Sequence, residues 1–254
     1  MAIRVGTTPI LKMYAGPDIQ PSAWTPANLA TAPDFWLDAT DYASLTLSGT
    51  DVTTWGDISG NSRDFEAVTA EYATYDATGL NGMPAVVWPS SGNTARYDTA
   101  TSFNIVETAF IASYDDGTPT TWQTIFQGLL TGGGDTTMIG DATGNGRLYS
   151  GDTMYSGSRD GVVDDYKTTN ILPMDATFCV LYRPGGALNA NWQIGNDRGN
   201  GGRGWWGPMG EWVGTSSRWT TDERQKLEGY LAWKWGVEAN LPIGHPYKNS
   251  RPTV

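Results

Sequence analysis

The sequence has one cysteine, Cys179, and one histidine, His245. A single cysteine excludes an intrachain disulfide, so no oxidising compartment is needed to close the fold. One Cys and one His also exclude a zinc centre of the usual kind, which draws its ligands from those residues. Charged residues make up only 17%, too few for a coiled coil or a long-helix protein. Basic residues are outnumbered, 16 Lys and Arg against 27 Asp and Glu, for a net charge of -11. A chain this acidic lacks the basic face that phosphate contacts require, which excludes a nucleic-acid binder. The same charge opposes adhesion to an anionic membrane. No run approaches the roughly 18 apolar residues of a membrane span. The opening MAIRVGTTPILKMYAGPDIQ holds no apolar stretch long enough for a signal peptide, so manufacture in a cytoplasm is expected.

What is abundant is aromatic and turn-forming. There are 12 Trp and 12 Tyr, enough to fill a large core despite few aliphatics. With 32 Gly and 14 Pro, the composition suits a turn-rich β fold. From Pro33 to about Gly214 short segments rich in β-branched and aromatic residues alternate with turn clusters. The segments are DFWLDA, VTTWGDI, PAVVW, VETAFIASY, WQTIFQG, TFCVLYR, NWQIGN and PMGEWVG. Strands at this spacing predict a β-sandwich or jelly roll. One helix is predicted, in RWTTDERQKLEGYLAWKWG. Thr220 and Glu223 form a capping box, and Asp222, Glu223 and Lys234 complement the helix dipole. Leu227, Tyr230 and Leu231 share one face, and Gly236 is the stop. The following VEANLPIGHPY reads as an extended segment that packs back on the sandwich.

The first 24 residues are short apolar pieces broken at Gly6, Pro9, Gly16, Pro17 and Pro21. They cannot build a core of their own. The division expected is an arm, 1–24, carrying the apolar residues Ile3, Val5, Ile10, Leu11, Met13, Tyr14 and Ile19, followed by one domain over 25–254.

Two segments resemble a known group. They are FWLDATDYASLTLSGTDVTTWGDISGNSRDFEA, followed by GMPAVVW, and MGEWVGTSSRWTTDERQKLEGYLAWKWGVEANLPIGHPY. Together they resemble the concanavalin A-like (laminin-G-like) jelly-roll domains of bacteriophage structural proteins and some bacterial surface proteins. The matching positions are Trp36 to Ala39, Trp55–Gly56–Asp57, Ser59–Gly60–Asn61 and Pro84–Ala85–Val86. They continue with Gly210–Glu211, Leu227 through Gly236, Leu241–Pro242 and His245–Pro246–Tyr247. The leader is similar to the glycine-turn, tyrosine, glycine-turn starts of phage virion proteins. The resemblance implies an all-β concanavalin A-like sandwich with one C-terminal helix and an extended N-terminal arm. It implies a virion structural protein, a capsid decoration or a tail or fibre part, that acts by assembly and adhesion without catalysis. The partners expected are other virion proteins and further copies of the chain, with a trimer as the guess, and the location is the virion.

Candidate chemistry follows from the same residues. Retaining glycosidases on this fold carry alternating carboxylates on one strand, in a Glu-x-Asp-x-x-Glu pattern. No strand here carries it, so a polysaccharide-degrading enzyme is the lesser alternative and the chain is expected not to be an enzyme. Glu211 is expected to be tied to a turn or a basic partner. His245 is expected to be a packing residue, and Cys179, in TFCVLYR, a small buried hydrophobe. Asp135, Asp141 and Asn145 in an oxygen-rich loop are a calcium candidate, set against their ordinary use in turns. A host glycan is the other alternative partner. Strand alternation turns Trp206 inward and Trp205 outward, where Arg203 and Arg198 lie beside it as sugar contacts.

Overall fold

The computed structural model describes residues 23–89, 93–114, 122–129, 145–149, 151–198 and 202–254, and the backbone of 135–139. The strands of the first half are β1 Phe35–Asp38, β2 Leu45–Ser48, β3 Asp51–Trp55, β4 Phe65–Ala67, β5 Thr74–Leu80, β6 Met83–Trp88, β7 Tyr97–Thr99 and β8 Phe103–Ile105. Then come β9 Glu107–Ala112, β10 Gln123–Leu129, β11 Asp135–Ile139, β12 Ser156–Arg159, β13 Val162–Asp165, β14 Thr177–Tyr182, β15 Leu188–Ile194 and β16 Gly207–Thr215. One α-helix, α1 (Thr221–Lys234), follows. All pairings are antiparallel, in the order β11-β10-β15-β7-β4-β3-β5-β6-β16-β9-β14-β12-β13, with β1 on β16, β2 on β3 and β8 on β15. The protein is an all-β, jelly-roll-like sandwich with a single C-terminal helix.

Each strand segment read from the sequence is found. Those missed are short or polar: β4, β7 and β8 have three residues each, too few to show a period of two. The β12–β13 hairpin turns on Asp160–Gly161, both at positive φ (50° and 78°), as a two-residue hairpin turn requires.

The central strands are buried on both faces, which explains their unbroken apolar runs. On β9, Phe110 and Ala112 enter the core between the layers, while Ala109 and Ile111 face the helix. On β14, Cys179 and Leu181 face inward, and Phe178 and Val180 meet the helix side. Aromatic rings fill the inner core. Phe126 stacks on Trp192 with centroids 4.8 Å apart, and Phe110 on Trp212 at 4.3 Å.

Helix α1 covers the second core with Leu227, Leu231 and Ala232. Its capping box closes as read: Glu223 N–H donates to Thr220 Oγ1 (3.2 Å), and Thr220 N–H donates to Glu223 Oε2 (2.9 Å). It ends at Gly236 (φ +67°), where the Val237 N–H reaches back to the Ala232 carbonyl at 2.8 Å. The segment after it packs on both layers: His245 and Tyr247 meet Glu228 and Gly229 of the helix, while Leu241 and Pro242 lie against Gly161 of the β12–β13 turn. Ala23 pairs with Thr253, and Trp24, assigned to the arm by sequence, is buried against Tyr230.

Candidate functional site

The densest charged cluster lies where α1 ends over the sheet. Trp36 and Asp38 alternate with the core residues Phe35 and Leu37 on β1, so both project to the helix side. Asp38 stands opposite Glu211 in the β1–β16 register. Glu211 is fully buried and accepts four donors. Trp36 Nε1 (2.7 Å) and Tyr230 OH (2.8 Å) reach Oε1, while Lys234 Nζ (2.7 Å) and Trp235 Nε1 (3.0 Å) reach Oε2. Lys234 Nζ also donates to Asp38 Oδ2 at 2.5 Å. Gly210 lets the helix end approach, since a Cβ there would lie 2.5 Å from the Trp235 ring.

The electrostatics follow from burial. Burial pushes the Glu211 carboxyl up, and the Lys234 ammonium draws it partly back. Burial pulls Lys234 down, but Glu211 and Asp38 outweigh it and hold it above the usual lysine range. The Tyr230 hydroxyl is raised well above its ordinary value, first by burial and then by the Glu211 charge, so it stays a neutral donor. A carboxylate has about four lone-pair sites, and all of Glu211's are taken. The cluster is a clamp between β1, β16 and α1.

A cleft of about 300 Å³ opens beside this clamp, lined by Trp24, Tyr230, Trp233, Lys234, Arg251 and Pro252, with Ala23 and Thr25 at its edge. Its wall is held by the clamp on one side. On the other, the Trp24 N–H donates to the Pro252 carbonyl (3.1 Å) and Trp233 Nε1 to the Tyr247 carbonyl (2.8 Å). The cleft therefore offers fixed aromatic faces with an exposed guanidinium at the rim.

A second buried cluster joins Ser158, Glu228 and His245. His245 Nε2 lies 2.9 Å from Glu228 Oε2, Ser158 Oγ donates to Glu228 Oε1, and the Tyr247 N–H donates to His245 Nδ1 at 3.2 Å. The carboxylate sits between Ser and His. A nucleophilic triad needs the His next to the Ser, so this order is that of a tether for the C-terminal segment. Cys179 is fully buried in the inner core, and burial raises its thiol well above the ordinary value.

The predicted sugar contacts do not assemble. Trp205 is fully buried, its ring 5.0 Å from that of Tyr114, and Trp206 is the half-buried one. The alternation was extended past its range. Residue 205 precedes β16, and Gly207 at φ +128° breaks the strand's period between them. Arg198 and Arg203 both hold the buried Asp197 carboxylate, at 2.6 and 2.5 Å, and Arg203 also lies 4.2 Å over the Trp122 ring. They close the loop between Asn196 and Gly204.

For calcium, Asp141 lies outside the described residues and Asp135 is described in backbone only. The Asn145 side-chain oxygen accepts the Arg147 N–H at 2.9 Å, an ordinary turn contact. Among the described residues no group of three or more His, Cys, Asp or Glu is placed to hold a metal. The arm residues Ile3, Val5, Ile10, Leu11, Met13, Tyr14 and Ile19 lie outside the described residues. No described helix is long and apolar enough to cross a membrane. Sequence reasoning missed Asp38 and Lys234. The signal was present, in the Trp-x-Asp spacing of β1 and a lysine four residues after Tyr230.

No family model matches the chain, and no curated protein does. Solved structures of Trypanosoma rangeli sialidase do. The complex with sialic acid is 16% identical, over 84% of this chain and 36% of that one, with a TM-score of 0.43. The complex with the inhibitor DANA is 15% identical, over 82% and 35%, with a TM-score of 0.37. The chain thus spans about a third of the length of the structures it matches. The expectation that the chain is not an enzyme is corrected here: its structural neighbours are enzymes, and that expectation is withdrawn. A likeness this distant describes fold alone and carries no activity over.

Proposed function

We propose that the protein is an assembly and adhesion module of a bacteriophage virion, a capsid decoration or a tail or fibre part. One observation carries this reading. The residues that resemble phage jelly-roll domains are the ones that lock this helix to this sheet. Trp36, Asp38 and Glu211 form the clamp with Lys234 and Trp235, and His245 tethers the C-terminal segment to Glu228. The resemblance therefore rests on framework positions with physical work to do, not on scattered surface identities.

The arm supplies the assembly device in this reading, and the acidic surface keeps free copies soluble before assembly. The chain enters the domain at a fixed point, where Ala23 pairs with Thr253. An arm leaving such an anchor can bind a neighbouring copy in a head-to-tail contact, which closes into a ring, a trimer in this proposal.

Size-exclusion chromatography with light scattering tests it, on the full chain and on a form starting at Ala23. The expected result is an oligomer for the first and a monomer for the second. Equal monomers would remove self-assembly through the arm. Mass spectrometry of purified particles then tests the virion location.

A further inference from the structure

We infer that the cleft between Trp24, Tyr230, Trp233 and Pro252 is the docking site for the proline-bearing segment Gly16–Pro21 of a second copy of this chain. The inference rests on the assembly reading and names the surface that reading lacks.

The first ground is the chemistry of the cleft. Trp24, Tyr230 and Trp233 line it together, and the Trp24 and Tyr230 rings lie edge to face at 6.1 Å. Fixed aromatic walls of this kind take up extended proline segments, which lose little conformational entropy on binding. The second ground is charge. Arg251 stands exposed at the rim, and no carboxylate among the described residues forms an ion pair with it. Lys234, the other cation, is already held by Asp38 and Glu211. The unspent charge therefore suits an acidic residue on the incoming chain.

The third ground is where the described chain begins. Ala23 lies on the lip of the cleft, and the residues before it read Gly16-Pro17-Asp18-Ile19-Gln20-Pro21-Ser22. That sequence has two prolines four apart, with an aspartate after the first. It offers the cleft two rings to pack and one carboxylate for Arg251. A proline disfavours the helical region for the residue before it, so the sequence disfavours helix at Gly16 and Gln20. From Ala23 back to Pro17 is six residues, about 20 Å fully extended. That span serves the cleft of a neighbouring copy whose own Ala23 lip lies alongside, whereas entry into the chain's own cleft would need a reversal within these few residues, two of which are prolines with a fixed φ.

The test uses the full chain with Asp18→Cys and Arg251→Cys, oxidised with a copper–phenanthroline catalyst. The native Cys179 is buried and does not compete. The expected result is interchain cross-linking, seen as bands at two or more chain masses that collapse on reduction. A cross-link confined to one chain, or none, overturns the inference. A second variant, Thr25→Trp, fills the cleft from its edge. At least a tenfold weaker self-association is expected, with an unchanged melting temperature showing that the domain is folded. If the wild-type chain is a monomer at every concentration, the assembly reading itself fails. If it is an oligomer that ignores Thr25→Trp and does not cross-link, the assembly reading stands and the cleft is the wrong surface.

Discussion

Asp38 and Glu211 face each other across β1 and β16, and both hold the single ammonium of Lys234. Two carboxylates this close repel unless a cation sits between them, so the lysine is the keystone of the clamp. Lys234→Met removes it and leaves Glu211 buried with its charge uncompensated. The expected loss is about 3 kcal/mol, the lower end for a broken buried pair because Lys234 keeps 19% of its side chain exposed. Urea unfolding of the two proteins measures it. The double change Lys234→Met with Glu211→Gln is expected to recover part of the loss, since the buried charge goes too. Equal losses in the single and double variants would mean that the clamp is held by shape alone.

The same cluster fixes a pH response. Lys234 is held above its ordinary 10.5 in the folded chain. Its contribution to stability is therefore complete below about 10.5 and is lost as the pH rises through the folded value. Glu211 works the other way at lower pH. Its carboxyl is raised from 4.5, so ionising it costs stability as the pH climbs from there. Melting temperatures from pH 9 to 12 are expected to fall more steeply in the wild type than in Lys234→Met. Parallel curves would assign the alkaline loss to other groups.

Asp197 gives the acid counterpart. Burial alone would raise it, but Arg198 and Arg203 outweigh burial and hold it below its ordinary 3.8. Its stabilisation is present above about 3.8 and disappears as the pH falls through the lower folded value. Asp197→Asn is expected to cost about 2 kcal/mol at pH 7, the scale of hydrogen bonds to a charged group. The variant and the wild type are expected to converge as the pH falls through the folded value of Asp197. A gap that stays constant as the pH is lowered would show that packing of the loop, and not the charge, is lost.

How far the sequence reaches is seen by comparing two tryptophans. Trp36 lies within a strand, between Phe35 and Leu37, and strand alternation accounts for its place on the helix side. Trp205 lies two residues before a strand whose first residue is a positive-φ glycine, and alternation fails there. Periodicity holds inside an element and not across the bend that starts one. The helix was legible in full, because its caps are local and chemical. The Glu211 clamp was legible only as a glutamate tied to a turn or a basic partner, and not as a cluster, since its partners come from 175 residues away at Trp36 and 23 residues away at Lys234. The β12–β13 hairpin was legible in its Asp-Gly turn and was passed over because Val162 and Val163 are followed by two aspartates.

Trp205→Ala tests the buried placement directly. A solvent-facing indole costs little to remove. A fully buried one against Tyr114 leaves a cavity and is expected to cost about 3–5 kcal/mol. The loss is expected in thermal or urea unfolding, with Trp206→Ala, half-buried, costing clearly less. The reverse order would restore the outward reading of Trp205 and with it the sugar-contact role of Arg203.

Cys179 offers a test of the core that needs no mutation. Its thiol is fully enclosed between β14 and the opposite layer, and burial holds its pKa well above the ordinary value. Both effects suppress the thiolate, the form that attacks a disulfide reagent. In the native protein a thiol-specific chromogenic disulfide is expected to react at the rate of global unfolding, and in strong denaturant to release one equivalent at once. The rate is expected to climb with urea in step with the loss of near-ultraviolet dichroism. It is expected to be insensitive to reagent concentration once opening is limiting. A fast native reaction, first order in reagent, would mean that β14 opens locally without the rest of the sheet. That would contradict its position between two cores, because separating it from β9 and β12 exposes Phe178 and Val180 on one side and Leu181 on the other.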